Sequence, residues 1–391
     1  MKKLLTSPSK MALPEIESGI YQNILKQATD ISLNLMAVKV TNHPEDFLGW
    51  CFELLDVAKR RINFDLLEDT QLPTVKKLQD LLQNAISYLQ LKSLRVAPWP
   101  VLMMFIEGNK EALALDEQLA LLTHIDALRE QKLADMIVED RLVFTGKYAA
   151  THDTSAYPFD CEWFAATKSA KGFHQVLADV PFSFDEALTH IPLEGDVTEA
   201  HYQAFIVAYL QAFNGIDDTP TLAPATRLLA MRRPDVFTPV TASKLDTLCM
   251  ALGVARLSNR DFSRYWDDIV QTIHAMPWFR QSLPANELET TLTRYKALLP
   301  CWFYYVDEDT PEQSNYFKAL NKPKRTSSGR TANGTKSVRR GKESATVLVD
   351  RALDNPDLPA YLQDKRDSII AEVEKGRSVD ETIQLLRTIF G

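Results

Sequence analysis

The feature that most constrains this chain is apolar periodicity at helical spacing, sustained over most of its length. Ile20, Ile24, Ala28, Ile31 and Leu35 recur every three or four residues, which places them on one face of a helix. Phe47, Trp50, Cys51, Leu54, Leu55 and Ala58 repeat the pattern after Pro44. Leu78, Leu81, Leu82, Ala85, Ile86 and Leu89 repeat it after Pro73-Thr74, and Leu119, Leu122, Ile125, Leu128, Leu133, Met136 and Ile137 carry it through residues 116–143, which read as one long helix. Such faces hold only when buried against one another, so the sequence predicts an all-α fold with few or no strands. Leu142–Thr145 and Phe237–Val240 are the only candidate extended pieces. Strands and helices do not alternate, which excludes a doubly wound sheet. No repeat with a period of 20–50 residues is present, which excludes a solenoid.

Start signals support the helices. Ser183 with Glu186, Asp196 with Glu199, Ser258 with Asp261 and Ser378 with Glu381 have the spacing of reciprocal caps. Thr310-Pro311 places proline at a first helical position. Composition changes at two places. Residues 145–160 are polar and turn-rich. Residues 321–342 read NKPKRTSSGRTANGTKSVRRGK, with too little apolar surface to offset ordering entropy. The expected organisation is a multi-helix body made of an N-terminal lobe (1–150) and a second lobe with helix-turn-helix-like hairpins (151–320). A disordered basic linker (321–342) and a small three-helix docking module (343–391) follow.

Chemistry-bearing motifs are scarce. Cys51, Cys161, Cys249 and Cys301 lie too far apart for a metal or redox pair, and they read as buried thiols of a protein in a reducing cytoplasm. Cys161, beside Glu162 and Trp163, is the cysteine best placed for nucleophilic work. The seven histidines form no HExxH or zinc spacing. GxxxxGK[ST], GxGxxG and GxSxG are all absent, and only 13 glycines are available for phosphate loops. Pro234-Asp235 and Pro356-Asp357 lack the downstream (D/E)-x-K of a metal-dependent nuclease, so both read as turns. Asp307-Glu308-Asp309 reads as favourable charge before a helix N-terminus. No cofactor, metal, signal segment or membrane span is expected, since Pro98–Ile106, the most apolar run, is far below the ~20 residues a span needs.

Residues 224–280 have the most individual character. They predict helices at Ala225–Met231, Ser243–Leu252 (ended by Gly253) and Asp261–His274, with Arg232, Arg233 and Lys244 at the turns. Arginines at such junctions suit phosphate oxygens, while a plain hairpin would pair them with Asp235. Arg227-Leu228-Leu229, Arg233-Pro234-Asp235-x-Phe237, Leu252-Gly253-Val254, Tyr265-Trp266-Asp267 and Pro277-Trp278 together resemble uncharacterised helical proteins of bacterial restriction and antiphage-defence loci. The resemblance spans roughly 60 residues and carries over no catalytic residue. It implies a defence component that works with partner subunits. Trp266, Trp278, Phe279, Trp302, Phe303, Tyr304 and Tyr305 have the spacing of core aromatics.

The sharpest charge feature is 321–342. Lys322, Lys324, Arg325, Arg330, Lys336, Arg339, Arg340 and Lys342 stand there with no acidic residue, inside a chain whose net charge is -8. Eight cations can release phosphate counterions and bind a DNA or RNA backbone without sequence preference. The same stretch also suits a solvated tether. The expectation is a cytoplasmic, non-catalytic accessory subunit of a nucleic-acid-directed defence complex. The linker would contact phosphate and the C-terminal helices would dock a protein partner. A protein-interaction scaffold and an enzyme with a site assembled from scattered residues are the rivals.

Overall fold

Helix α3 (Leu72–Leu94) organises the body of the molecule. Pro73 starts it, where a missing N–H costs nothing. Val75, Leu78, Leu82 and Ala85 bury one stripe, and from Ala85 to Leu91 every residue is buried. Three helices enclose it: α1 (Glu15–Asp30), α2 (Phe47–Asp56) and α11 (Leu245–Leu252). The computed structural model describes residues 13–31, 46–304 and 314–321. Beyond these it describes 346, 349, 352–353, 362, 365–374, 379 and 382–383. Among the described residues the regular elements are helices and no strand occurs, so the fold is all-α.

The body also contains α4 (Trp99–Gly108), α5 (Leu115–Leu128), α6 (Val138–Thr145), α7 (Lys171–Asp179), α8 (Phe182–Thr189), α9 (Glu199–Gln211) and α10 (Leu222–Arg232). The stretch α12 runs from Phe262–Arg264 through π-helical Tyr265–Val270 into Gln271–His274. Its wider turns bury the consecutive Tyr265 and Trp266 together. Helices α13 (Glu287–Arg294) and α14 (Asn315–Leu320) follow. Helix α8 packs on α9 and α10, and α6 packs on α5 and α10. One continuous apolar core runs from Tyr21 to Phe303. The turn-rich 148–158 stretch is a loop whose neighbours Phe159 and Cys161 belong to that same core.

The expected helix over 116–143 is two helices. Helix α5 ends at Leu128 and α6 starts at Val138. Side chains meet the backbone groups exposed by the break. The Asp185 carboxylate accepts from Leu133 N at 2.6 Å and Ala134 N at 3.0 Å. The Arg141 guanidinium donates to the carbonyls of Leu133, Ala134 and Met136. Leu133 and Met136 stay buried, which preserves the apolar pattern across the break. Leu142–Thr145 belongs to α6 rather than to a strand. Phe237–Val240 is irregular, with Thr238 Oγ1 donating to Ala297 O at 2.6 Å and Val240 N donating to Thr226 Oγ1 at 3.0 Å.

Caps differ in detail from the expected ones. Helix α9 is capped by Thr198, reciprocally with His201, two residues beyond Asp196. Ser183 lies inside α8, which starts after Pro181 without a side-chain cap. Ser258 and Asp261 do meet, through Ser258 N and Asp261 Oδ2 at 2.5 Å. Ser378, Thr310 and the acidic run 307–309 lie outside the described residues.

The chain divides into two compact units, Met1–Pro323 and Lys324–Gly391. The second contains α15 (Arg366–Glu374) and a small core of its own, made of Val349, Leu353, Leu362, Ile369 and Ile383. No helix among the described residues is long and apolar enough to cross a membrane.

Candidate functional site

A cavity of about 740 Å³ opens in the first unit. Eight separated stretches of sequence build it. Leu55 comes from α2, and Gln83, Ile86 and Ser87 from α3. Residues 160–170 form one wall, and 213–221 with the start of α10 form another. Residues 239–244, Asn259, and 301–304 with Ser314 close it.

The 160–170 wall is held by an unusual staple. Helix α6 ends at Thr145, and its last four carbonyls need partners. Leu142 O accepts from Lys147 N at 2.9 Å, and Val143 O from Gly146 N at 3.2 Å. Arg227, wholly buried on α10, reaches across to donate Nη2 to Val143 O at 3.0 Å and Nε to Phe144 O at 3.1 Å. Thr145 O accepts from Thr167 Oγ1 at 2.7 Å. The same guanidinium donates to Cys161 O at 3.1 Å and to Trp163 O. A cation at a helix C-terminus is electrostatically favoured, and here it also fixes the cavity wall. Between these anchors Phe164 and Ala165 adopt φ of 62° and 94°. Left-handed backbone at non-glycine residues is costly and persists where surroundings over-determine it. Gly146 makes room: a Cβ there would lie 2.6 Å from Ala165 O, and its own φ is +79°.

The wall carries two buried carboxylates. Asp160 accepts from Glu162 N at 3.0 Å and from the Ser314 hydroxyl. Burial pushes its carboxyl up to about 6, the Glu162 charge adds to this, and the N–H, the hydroxyl and Arg227 oppose it. Glu162 accepts from Asn315 Nδ2 at 3.0 Å and Tyr148 N at 3.4 Å, with Lys168 Nζ at 3.6 Å. A third carboxylate, Asp218, accepts from Gly172 N at 2.6 Å and Thr219 N at 2.8 Å. Asn259 Oδ1 is a buried oxygen without a hydrogen-bond partner. Trp163, Phe164, Phe173, Phe213, Phe303 and Tyr304 supply the aromatic lining.

Of the candidate basic residues, Lys244 is the one among the described residues that reaches this cavity. Its Nζ donates to Asn84 Oδ1 at 2.9 Å and lies 5.9 Å from the Tyr304 ring centroid. Arg232 and Arg233 instead hold the 191–195 turn. Arg232 donates to Ile191 O and Arg129 O. Arg233, 6% exposed, forks onto Asp235 at 2.8 Å for both bonds and donates to Pro192 O and Gly195 O. The three residues thus form no common surface. Lys322, Lys324, Arg325, Arg330, Lys336, Arg339, Arg340 and Lys342 lie outside the described residues.

All four cysteines are buried and unpaired. Burial raises the Cys161 thiol well above its ordinary value and raises that of Cys301 too, so neither is primed as a thiolate. Among the described residues no histidine lines the cavity. Among the described residues no group of three or more His, Cys, Asp or Glu side chains is arranged to hold a metal ion. The expected core aromatics are buried at Trp266, Trp278, Phe279, Trp302 and Phe303, whereas Tyr304 is half-buried at the cavity and Tyr305 lies outside the described residues.

Asp160, Glu162, Asp218, Asn259 and Arg227 escaped the sequence reading as a set. Arg227 left one trace: it is the one charged residue within the largely apolar Leu222–Met231 run. No protein-family model matches the chain, and no curated protein and no solved structure is significantly similar to it.

Proposed function

We propose that this chain is a binding protein for a small organic molecule, which occupies the cavity between α3, the 160–170 wall and the start of α10. The observation that carries the reading is the cavity itself. Its volume of about 740 Å³ lies within the roughly 300–1,000 Å³ typical of ligand sites, and it combines aromatic walls with a few convergent polar groups. Strained backbone at Phe164 and Ala165, on that wall, supports the reading, because such strain concentrates at ligand sites. The lining thiol, Cys301, is kept protonated by burial, which favours binding over nucleophilic chemistry.

Filling the cavity tests this. Native mass spectrometry of the full chain, incubated with a mixture of small metabolites, should show adducts on the wild type. Ala223→Trp and Ala242→Trp should lose them while keeping the wild-type circular dichroism spectrum. Adducts that persist in both folded variants would rule the cavity out as the binding site.

A second reading rests on a different observation, the eight cations of 321–342. In it the chain is an accessory subunit of a nucleic-acid-directed defence complex. The basic stretch touches phosphate and residues 343–391 dock a protein partner. The two readings are compatible, since they use separate parts of the chain.

A further inference from the structure

We infer that the cavity takes an organic amine in its protonated form, with the ammonium against Asp160 and Glu162 and the carbon skeleton against the aromatic lining. This rests on the ligand-binding reading above and names its ligand class.

The argument is an inventory of donors and acceptors. The cations around the cavity already serve the protein. Arg227 gives its N–H groups to four backbone carbonyls. Lys244 Nζ is held by Asn84, and Lys168 Nζ lies 3.6 Å from Glu162. Among the charged groups, what the walls retain is acceptor capacity. An ionised carboxylate offers about four lone-pair sites. Asp160 has two named donors, Asp218 has two, and Glu162 has Tyr148 N, Asn315 and the longer Lys168 contact. Asn259 Oδ1 has none. The complement of such a wall is a molecule rich in N–H donors.

Charge narrows the class further. Asp160 is 3% exposed and Glu162 8%, so water solvates neither well, and a cation in the cavity would restore what burial removes. An anionic ligand would meet three carboxylates. Trp163, Phe164, Phe173 and Tyr304 add rings that attract an ammonium through their π faces. A neutral polyol would satisfy the acceptors but leave the charge uncompensated.

The test uses one indole skeleton in three charge states: tryptamine, tryptophol and indole-3-acetate, titrated calorimetrically into the full chain at about pH 8. Tryptamine should bind about tenfold or more tighter than tryptophol, with indole-3-acetate weakest. Asp160→Asn and Glu162→Gln should each remove most of that preference, bringing the tryptamine and tryptophol affinities close together. Should either variant fail to fold, the wild type supplies a second measurement. Tryptamine stays protonated from pH 5 to 8, so its advantage over tryptophol should shrink as pH drops below about 6 and Asp160 takes up a proton. Glu162, Arg227, Cys161, Tyr148 and Tyr316 are the other ionisable groups among the described residues that interact with Asp160 there. Equal affinities for amine and alcohol, a preference for the acetate, or a pH-independent preference would overturn the amine assignment while the cavity reading stands. No binding by any of the three overturns it as well. The cavity reading itself falls only if adducts survive in the Ala223→Trp and Ala242→Trp chains.

Discussion

Two residues beside the cavity respond to acid in opposite senses. Asp160 is held at about 6 against an ordinary 3.8. As pH falls, the folded chain takes this proton before the unfolded chain does. Asp160 therefore lowers stability above pH 6, by about 3 kcal/mol relative to an ordinary carboxyl, and the loss is recovered between pH 6 and 4. His174 runs the other way. Burial, and secondarily Lys147, bring it down to about 4 from 6.5, and its Nδ1 is buried without a partner while Nε2 faces Thr167. The unfolded chain takes that proton first, so its contribution is full above pH 6.5 and is lost on the way to pH 4. In the wild type the two nearly cancel across pH 6 to 4. Asp160→Asn removes the compensating half. Its urea midpoint should therefore drop more steeply than the wild type's between pH 6.5 and 4. Parallel curves would show that Asp160 is not held protonated by the fold.

At the scale of elements, the joint between α6, α10 and the 160–167 wall is where one side chain decides most. Arg227→Met would take the guanidinium donor from the carbonyls of Phe144, Cys161 and Trp163 and leave Val143 O with Gly146 N alone, a change expected to cost about 3–5 kcal/mol. Arg227→Lys keeps the charge but not the planar fork, and a single ammonium cannot reach both sides of the joint. It should still lose about 2 kcal/mol or more in denaturant midpoint. Peptide-resolved thiol labelling of Cys161 should also accelerate, since Cys161 O is one of the stapled groups. A Lys variant as stable and as protected as the wild type would mean that the charge alone holds the joint. This joint also marks the limit of what the sequence reveals. The stripes at Leu78–Leu89 and Phe47–Ala58 are legible because a buried helix face must be apolar at a fixed period. The break between α5 and α6 is not, because its backbone groups are satisfied by Arg141 and by Asp185, some fifty residues downstream of Leu133. The cavity is illegible for the same reason. Asn84 and Lys244 meet across 160 residues, and nothing local distinguishes Asp160-Cys161-Glu162 from an ordinary polar turn.

For the whole molecule the net charge of -8 is a sum of opposites. Residues 321–342 contribute eight positive charges and no negative ones, so the other 369 residues carry 36 basic and 52 acidic side chains, a net -16. The net charge outside 321–342 would repel a nucleic acid at low salt, and in this reading the attraction comes from the basic stretch. That makes the nucleic-acid reading sharply testable by salt. If most of the eight cations engage phosphate on a duplex, the logarithm of affinity should fall against the logarithm of salt with a slope approaching about -7. Replacing all eight with Gln preserves chain length and should abolish both the affinity and the slope. Arg232 and Arg233 give no fallback, since they are spent on Ile191, Pro192, Gly195 and Asp235. Gln replacement that leaves duplex affinity intact would therefore remove the physical basis of that reading, whereas the cavity's preference for an amine should be indifferent to it.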